Sequence, residues 1–439
     1  MMKMHLIVTS LIVAASADTV LAQPAEPAAP AVSPDDLNKA ADATAEVAGV
    51  VPPPAAPPTI KPSSDDIDLG ALGLDPATAA AADDQLTVYG FADFSYIMDY
   101  FSNVSPVFRD SRTFAVGNLN LYLAKNLTNK ARALAEIRFT FLPNGSRNPD
   151  ATIVDSTATD VTNYSRPVQW GGIVIERAYV EYDITDHLTL RGGHWLTPYG
   201  IWNIDHGSPV ILSPIRPYVV GQQFFPEHQT GLDLFGSQLL GGVKLGYHVT
   251  ASNGRGGAEA QQDQDNKFAF GGRLELETPW GLKVGGSYYR GRYTGLPPAL
   301  GAAGQTYLER AFGGDIQFDL GALHLQSEVI VRDRHYEDGM RTTAPGGFAP
   351  DGRDLGGYAL IGYRFHHLWN VMPFVYSELN KPSDHTLYER GIAEIAGLNF
   401  RPSPSLVLKA VAVHVNSKGT GLFMNGVFRE IAFQASWVF

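Results

Sequence analysis

The chain has 439 residues, 44% hydrophobic and 18% charged, with 45 Gly, 29 Pro and no Cys. Beyond the leader no stretch approaches the run of about 18 apolar residues that a membrane-crossing helix needs, and the lack of cysteine excludes disulfide frameworks and thiolate metal sites. The formal charge of −12 is unevenly placed: residues 23–85 hold eleven acidic and two basic side chains, leaving the remainder at −3.

Residues 1–22 begin with Lys3, continue through an apolar run from Leu6 to Ala17 and end in Val20-Leu21-Ala22. This is the pattern of a secretory signal peptide, too short to span a bilayer as a helix. Residues 23–85 contain eleven of the 29 prolines, many alanines and most of the net acidity. Such a segment buries too little apolar surface to offset its ordering entropy, so a disordered periplasmic linker is expected. Asp35 to Ala48 has room for one or two helical turns, for oligomerisation or for cell-wall (peptidoglycan) contact.

From Leu86 onward the pattern becomes a period of two. Strands are expected over 86–98, 112–125, 131–142, 172–184, 187–196, 228–239, 242–253, 266–278, 281–294, 306–319, 322–336, 354–366, 370–379, 387–401, 405–416 and 426–439. In 131–142, Ala133, Ala135, Ile137 and Phe139 share one face, and Arg132, Glu136 and Arg138 share the other. In 266–278, Phe268, Phe270, Leu274 and Leu276 oppose Lys267, Arg273, Glu275 and Glu277. Strands 387–401 and 405–416 are ambiguous, because either parity puts Glu394 or Lys409 on the apolar side; a bulge or a shifted register would account for it.

Connections alternate between short turns, such as Thr185-Asp186, Leu240-Gly241 and Leu320-Gly321, and longer segments rich in Gly, Pro, Asp and Asn. That asymmetry is the one found at the two rims of a transmembrane barrel. An all-β, up-and-down antiparallel transmembrane barrel of about sixteen strands over 86–439 is therefore expected, with both ends of the wall periplasmic. The last stretch, GVFREIAFQASWVF, alternates Ile431, Phe433, Ala435, Trp437 and Phe439 against Glu430, Gln434 and Ser436. It resembles the closing strand of bacterial outer-membrane barrels, which ends in an aromatic residue. Tyr and Trp near strand ends, among them Trp195, Trp280, Trp369 and Trp437, fit interfacial girdles.

At this strand number side chains cannot fill the interior, so a polar inward parity implies a wide, wet pore. The segment between Arg191 and His228 is long, aromatic and stiffened by Pro198, Pro209, Pro214, Pro217 and Pro226. It reads as a loop folded into the pore, with a structured external loop as the alternative. Its candidate constriction residues are Asp205, His206, Arg216, Glu227 and His228; the wall candidates are Arg132, Glu136, Arg138, Arg177, Glu181 and Arg191.

The run Leu188, Leu190, Arg191, Gly193, Leu196, Pro198, Tyr199, Gly200 resembles the corresponding stretch of the phosphate-selective porin-like family of Gram-negative outer membranes. With the closing strand, the resemblance spans about Leu86 to Phe439 and implies a homotrimeric sixteen-stranded passive channel for small, often anionic, hydrophilic solutes. Phosphate-specific members carry arginine ladders and a lysine cluster. Here the inward arginines are accompanied by Glu136, Glu181, Glu275, Glu328 and Asp315. Weak anion preference, or none, is the expectation.

No G-x-S-x-G, H-E-x-x-H or phosphate-cradling Gly-rich loop occurs, and no basic, aromatic-interleaved patch suggests nucleic acid. The residues give no reason to expect a cofactor, a metal or a catalysed reaction. An outer-membrane hydrolase on a barrel scaffold and a cell-wall anchor are the competing classes.

Overall fold

The computed structural model describes residues 86–102, 110–141, 170–203, 207–221, 223–256, 266–294, 306–336, 351–383, 389–419 and 425–439. The expected signal peptide and Pro/Ala-rich linker lie outside them. One sheet holds β1 (Thr87–Ser102), β2 (Ser111–Asn126), β3 (Ala131–Phe141), β4 (Trp170–Thr185), β5 (Leu188–Leu196), β6 (His228–Leu240), β7 (Val243–Ser252) and β8 (Arg255–Gly256). It continues through β9 (Ala269–Glu277), β10 (Leu282–Thr294), β11 (Thr306–Leu320), β12 (Leu323–Tyr336) and β13 (Gly352–Tyr363). The last strands are β14 (Met372–Lys381), β15 (Arg390–Ser403), β16 (Leu406–Lys418) and β17 (Val427–Val438).

β8 is a two-residue piece lying parallel to β10. The other sixteen strands pair antiparallel with their chain neighbours, and β1 pairs with both β2 and β17, which closes the barrel. The closing seam runs from Phe91↔Val438 to Ser102↔Val427. Beyond it Phe439 and Gly90 exchange backbone bonds of 2.9 and 3.0 Å. A Cβ on Gly90 would lie 2.3 Å from the Asn120 carbonyl and 2.9 Å from the Phe439 ring, so this seam needs glycine. Closure leaves no free strand edge, which is what a sheet must achieve where water cannot satisfy its N–H and C=O groups.

All sixteen expected strands are present, with short connections at one rim and longer ones at the other. The outer face is an apolar belt that includes Phe114, Ile173, Phe270, Leu274, Val329, Ile361, Val375 and Phe433, all exposed. A continuous belt of that kind exceeds what a water-facing surface tolerates and suits a bilayer.

The inner face has two characters. From β3 to β12 it carries charged side chains; from β13 to β17, and at Ile97 of β1, it is lined at mid-height by Tyr358, Leu360, Phe374, Tyr376, Ile395, Val411, Val413 and Ala432. The expectation of a polar inward parity throughout is corrected by this apolar arc. It also settles the ambiguous pair. Lys409 points inward, where its ammonium donates to the Ser208 carbonyl and, at 3.0 Å, to Gln434 Oε1. Glu394 shares the exposed parity of Leu398 and so faces outward. The register between β15 and β16 is unbroken from Arg390↔Lys418 to Phe400↔Leu408, and the bulge falls below it, before Ser403↔Leu406. Neither a slipped register nor a bulge at the charges was needed; both faces of these strands are largely apolar because a loop covers the inner one.

Candidate functional site

That loop joins β5 to β6, and its described residues, 197–203, 207–221 and 223–227, run inside the barrel. Its neck is tied by Thr197 N–H to the Glu227 carbonyl (2.9 Å), by Thr197 Oγ1 to the Pro226 carbonyl (2.5 Å) and by Asn203 Nδ2 to Thr197 Oγ1 (2.8 Å). The chain then reaches along the wall. The Tyr199 hydroxyl lies 2.6 Å from Thr250 Oγ1 of β7, and Gly200 N–H donates to Ser287 Oγ of β10 at 3.2 Å. Gly200 has φ +75°, and a Cβ there would fall 1.9 Å from Glu328 Oε1 of β12, so the tight passage requires glycine. Burial pushes the Tyr199 phenol well above its ordinary pKa, which keeps it a neutral hydrogen-bonding group.

The next part of the loop lies on the opposite wall. Ser208 is held by Lys409 of β16 and by Ser436 of β17, whose Oγ is 2.6 Å from Ser208 Oγ. Arg401 of β15 donates to the carbonyls of Pro209 (2.8 Å) and Val210 (3.1 Å), and Asn399 Nδ2 donates to that of Leu212 (3.2 Å). The Tyr376 hydroxyl of β14 donates to the Ile215 carbonyl at 3.1 Å. A single helical turn, α1 (Tyr218–Gly221), opens with its Tyr218 N–H on Glu378 Oε2 at 2.8 Å. On the way back the Gln223 carbonyl accepts from Arg255 of β8 (2.7 Å) and Arg332 of β12 (3.2 Å). Trp202, Ile211, Ile215, Val219, Phe224 and Phe225 are buried along this path against the apolar arc. At about 1.5–3 kcal/mol for each large side chain removed from water, packing rather than the scattered polar bonds holds the loop.

Most of the wall charges are paired with one another. Arg177 meets Glu136 at 2.6 Å, and Asn120 donates to the same carboxylate at 2.5 Å. Arg191 lies between Glu181 (2.7 Å) and Asp233 (3.4 Å), and its guanidinium is sandwiched by the Tyr179 and Phe235 rings at 4.6 and 4.5 Å. Arg132 binds Glu181 and Asp183 at 2.5 and 3.0 Å, and Arg273 binds Asp315 and Glu275 at 2.6 and 2.8 Å. Arg255 holds Glu309 at 2.5 Å, and Arg332 and Arg334 share Asp354 at 2.8 and 3.2 Å. Nearer the long-loop mouth Arg138 pairs with Glu176 (2.7 Å), whose other oxygen meets His228 Nε2 at 2.7 Å, and Arg216 pairs with Glu227 (2.6 Å).

The structure thus separates the sequence candidates into two groups. Glu136, Arg177, Glu181 and Arg191 are buried within the wall network, where they brace adjacent strands. Arg138 keeps 30% of its side chain accessible, Arg132 17%, and Arg216 and Glu227 12% and 13%, so these four are the more accessible members of the set. His228 sits at the loop neck, its ring stacked 5.4 Å from that of His194. Asp205 and His206 lie outside the described residues. The loop anchors Tyr376, Glu378, Asn399, Arg401 and Lys409 were missed. The available signal was the doubly apolar composition of runs such as LVLKAVAVHV, which marks a strand covered on both faces.

No protein-family model matches the chain. A stretch of 139 residues is 28% identical to an uncharacterized protein of Aquifex aeolicus; it covers 27% of this chain and 30% of that protein's length. The barrel superposes on an anion-selective porin from Comamonas acidovorans with a TM-score of 0.51, at 11% identity over 81% of this chain and 100% of that one. The fold is that of the outer-membrane porins. Two further porin-fold structures match comparably. The outer membrane channel DcaP of Acinetobacter baumannii gives a TM-score of 0.50 at 11% identity, over 81% of this chain and 97% of that one. The trimer form of OmpT from Vibrio cholerae gives 0.50 at 9% identity, over 81% of this chain and 100% of that one.

Proposed function

We propose that this chain is an outer-membrane porin of a Gram-negative cell, a passive diffusion channel for small hydrophilic solutes with at most weak preference for anions. The observation that carries the reading is a closed sixteen-stranded barrel whose longest described loop is threaded through the lumen and fastened to the far wall. An inward loop narrows a barrel that is otherwise too wide for its side chains to fill, and so sets the size of what passes. Solute moves down its gradient, and no bond is made or broken.

Selectivity follows from charge balance. Three of the inward guanidinia have a carboxylate within 3 Å, Arg132 with Glu181, Arg138 with Glu176 and Arg216 with Glu227, whereas Arg364 and Arg401 lie together near the short-turn rim with no ion pair among the described residues. Paired charges present little net field to a passing ion, which argues against the strict phosphate selectivity that the resemblance to the phosphate-selective family implies. Export by residues 1–22, assembly as a homotrimer and a peptidoglycan contact through residues 23–85 complete the proposal; the OmpT neighbour's trimer form supports the assembly.

The test is single-channel conductance of the purified protein in planar bilayers, with the reversal potential measured across a salt gradient. Discrete steps with a small or zero anion bias are expected. Folded, inserted protein that conducts no current would sink the channel reading.

A further inference from the structure

The loop explains the inner faces of β14–β17, but not what these strands carry outside. On the outer face the register sets up successive rows across adjacent strands. One row is Ile361–Val375–Ala396–Ala412–Ile431, and the row above it, toward the long-loop rim, is Ala359–Ser377–Glu394–His414–Arg429. Two rows higher Arg390 stands directly opposite Lys418. Lys381 lies one residue past the last β14–β15 pair, Asn380↔Gly391, which puts it beside Arg390. Lys381, Arg390 and Lys418 are all exposed and share the parity of the exposed Val375, Leu398 and Leu408 on their own strands.

Three cations therefore sit side by side on three neighbouring strands, at a spacing of about 5 Å. Like charges directly opposite one another destabilise a sheet. Among the described residues none of the three is in an ion pair. Their height is informative as well. Arg390 and Lys418 lie twelve residues above the turn at residues 402–406. At about 3.3 Å per residue and a tilt near 40°, that places them about 30 Å up, just past an apolar belt about 25 Å tall. This is the level of lipid headgroups.

Below the cation row the outer wall is recessed. A hollow of about 1000 Å³ is lined by Ala359, Val375, Ser377, Ala396, Ala412 and Ile431, with the alanines forming a floor that brings an occupant close to the backbone. Leu379 and Ile392 occupy the row between hollow and cations on β14 and β15, with Asn416 beside Ile392 on β16, so the apolar path to the cations runs along β14 and β15. Within the hollow Glu394 is flanked by His414, and Arg429 Nε lies 3.4 Å from His414 Nδ1, so that row carries its own counter-charges.

We propose that this face binds a phosphorylated lipid of the outer leaflet, with its phosphate on Lys381, Arg390 and Lys418 and an acyl chain descending into the alanine-floored hollow. The occupant follows from charge and height: the row is basic and needs an anion, and at the level of the headgroups the lipid phosphates supply one. Phosphate bears up to two negative charges and several acceptor oxygens, which suits three clustered cationic donors. The inference rests on the outer-membrane reading. A chain that failed to enter bilayers would fail that reading, whereas an inserted chain without phosphate-dependent lipid binding would fail this one alone.

The experiment is native mass spectrometry of the full chain in detergent, titrated with a bisphosphorylated glucosamine-based glycolipid, its dephosphorylated form, phosphatidylglycerol and phosphatidylcholine. The bisphosphorylated lipid should bind at least about tenfold tighter than its dephosphorylated form. Lys381→Gln/Arg390→Gln/Lys418→Gln should abolish that difference, and Lys244→Gln, at the opposite rim, should not change it. Binding by phosphatidylglycerol as well would support the phosphate site and assign it to phospholipids; binding by the glycolipid alone would assign it to that class. Equal binding of both glycolipid forms, or unchanged binding by the triple variant, would overturn the proposal. So would an Ala396→Cys chain that crosslinks efficiently to a second copy, because protein would then cover the face. If the triple variant misfolds, as read by its heat-modified gel mobility, Arg390→Gln alone serves and should weaken binding several-fold.

Discussion

Replacing Phe224 with alanine tests whether the loop is held in the lumen by packing. The ring is buried, lies 4.9 Å beneath the Arg332 guanidinium and meets Tyr218 edge-on at 6.3 Å. Truncating a buried phenylalanine costs about 3–5 kcal/mol, and the lost cation–π contact adds about 0.5–1 kcal/mol. Phe224 takes no part in any strand ladder, so the cost falls on the seated loop and leaves the wall intact. At tenfold per 1.4 kcal/mol, the unseated population rises by at least about 10²-fold. Because the chain has no cysteine, a single Ile211→Cys, at a buried loop position, reports unseating through its labelling by a membrane-impermeant maleimide. Phe224→Ala should speed that labelling by at least about 10²-fold, raise single-channel conductance and add open-channel noise, while the barrel's heat-modified gel shift stays put. Unchanged labelling and conductance with a lowered melting temperature would refute the reasoning, since the loop would then be a structural part of the wall.

Three further outcomes follow from the wall network and the linker. Arg191→Leu leaves the buried Asp233 without a guanidinium and takes one of two from Glu181, which keeps Arg132, and should cost about 3 kcal/mol, read as a lower temperature of heat modification. Arg191→Lys should rescue little, because an ammonium cannot bridge both carboxylates while stacking between two rings; full rescue would contradict the bracing role. Glu227→Gln leaves Arg216 without its carboxylate and should move the reversal potential toward anions, and an unmoved potential would remove this pair from the conduction path. Deleting residues 23–85 should leave conductance unchanged while abolishing co-sedimentation with peptidoglycan; lost conductance would make the segment part of the channel.

The wall was legible because its rule is simple. A period of two, turns such as Thr185-Asp186 and Leu320-Gly321, and the alternation of connection lengths suffice to count sixteen strands, and GVFREIAFQASWVF already shows how the seam closes. The inward loop was legible from its prolines and aromatics, since a water-exposed flap has little use for Trp202, Phe224 and Phe225. The partners of each charge were not. Arg191 and Arg138 look alike along the sequence, yet one is sealed between Tyr179 and Phe235 and the other keeps part of its side chain accessible. That difference depends on which strands become neighbours and on what the loop covers, and neither is encoded locally. The two-residue β8 escaped for the opposite reason: it is too short to show a period.

The misread charges on β15 and β16 follow from the loop's own chemistry. Residues 208–217, SPVILSPIRP, contain three prolines, so this stretch lacks three backbone donors, and its carbonyls find no regular ladder. Buried carbonyls must find donors. The far wall supplies them one at a time: Lys409 to Ser208, Arg401 to Pro209 and Val210, Asn399 to Leu212, and Tyr376 to Ile215. Between these donors the wall is apolar, because Ile211, Ile215 and Val219 need Ile395, Val411 and Val413 to pack against. A lysine amid alanine and valine on β16 is thus no fault in a membrane strand but a donor placed opposite an orphaned carbonyl. Glu394, whose side chain faces away from the loop, is answered on its own outer row instead, by His414 beside it and Arg429 one strand further on.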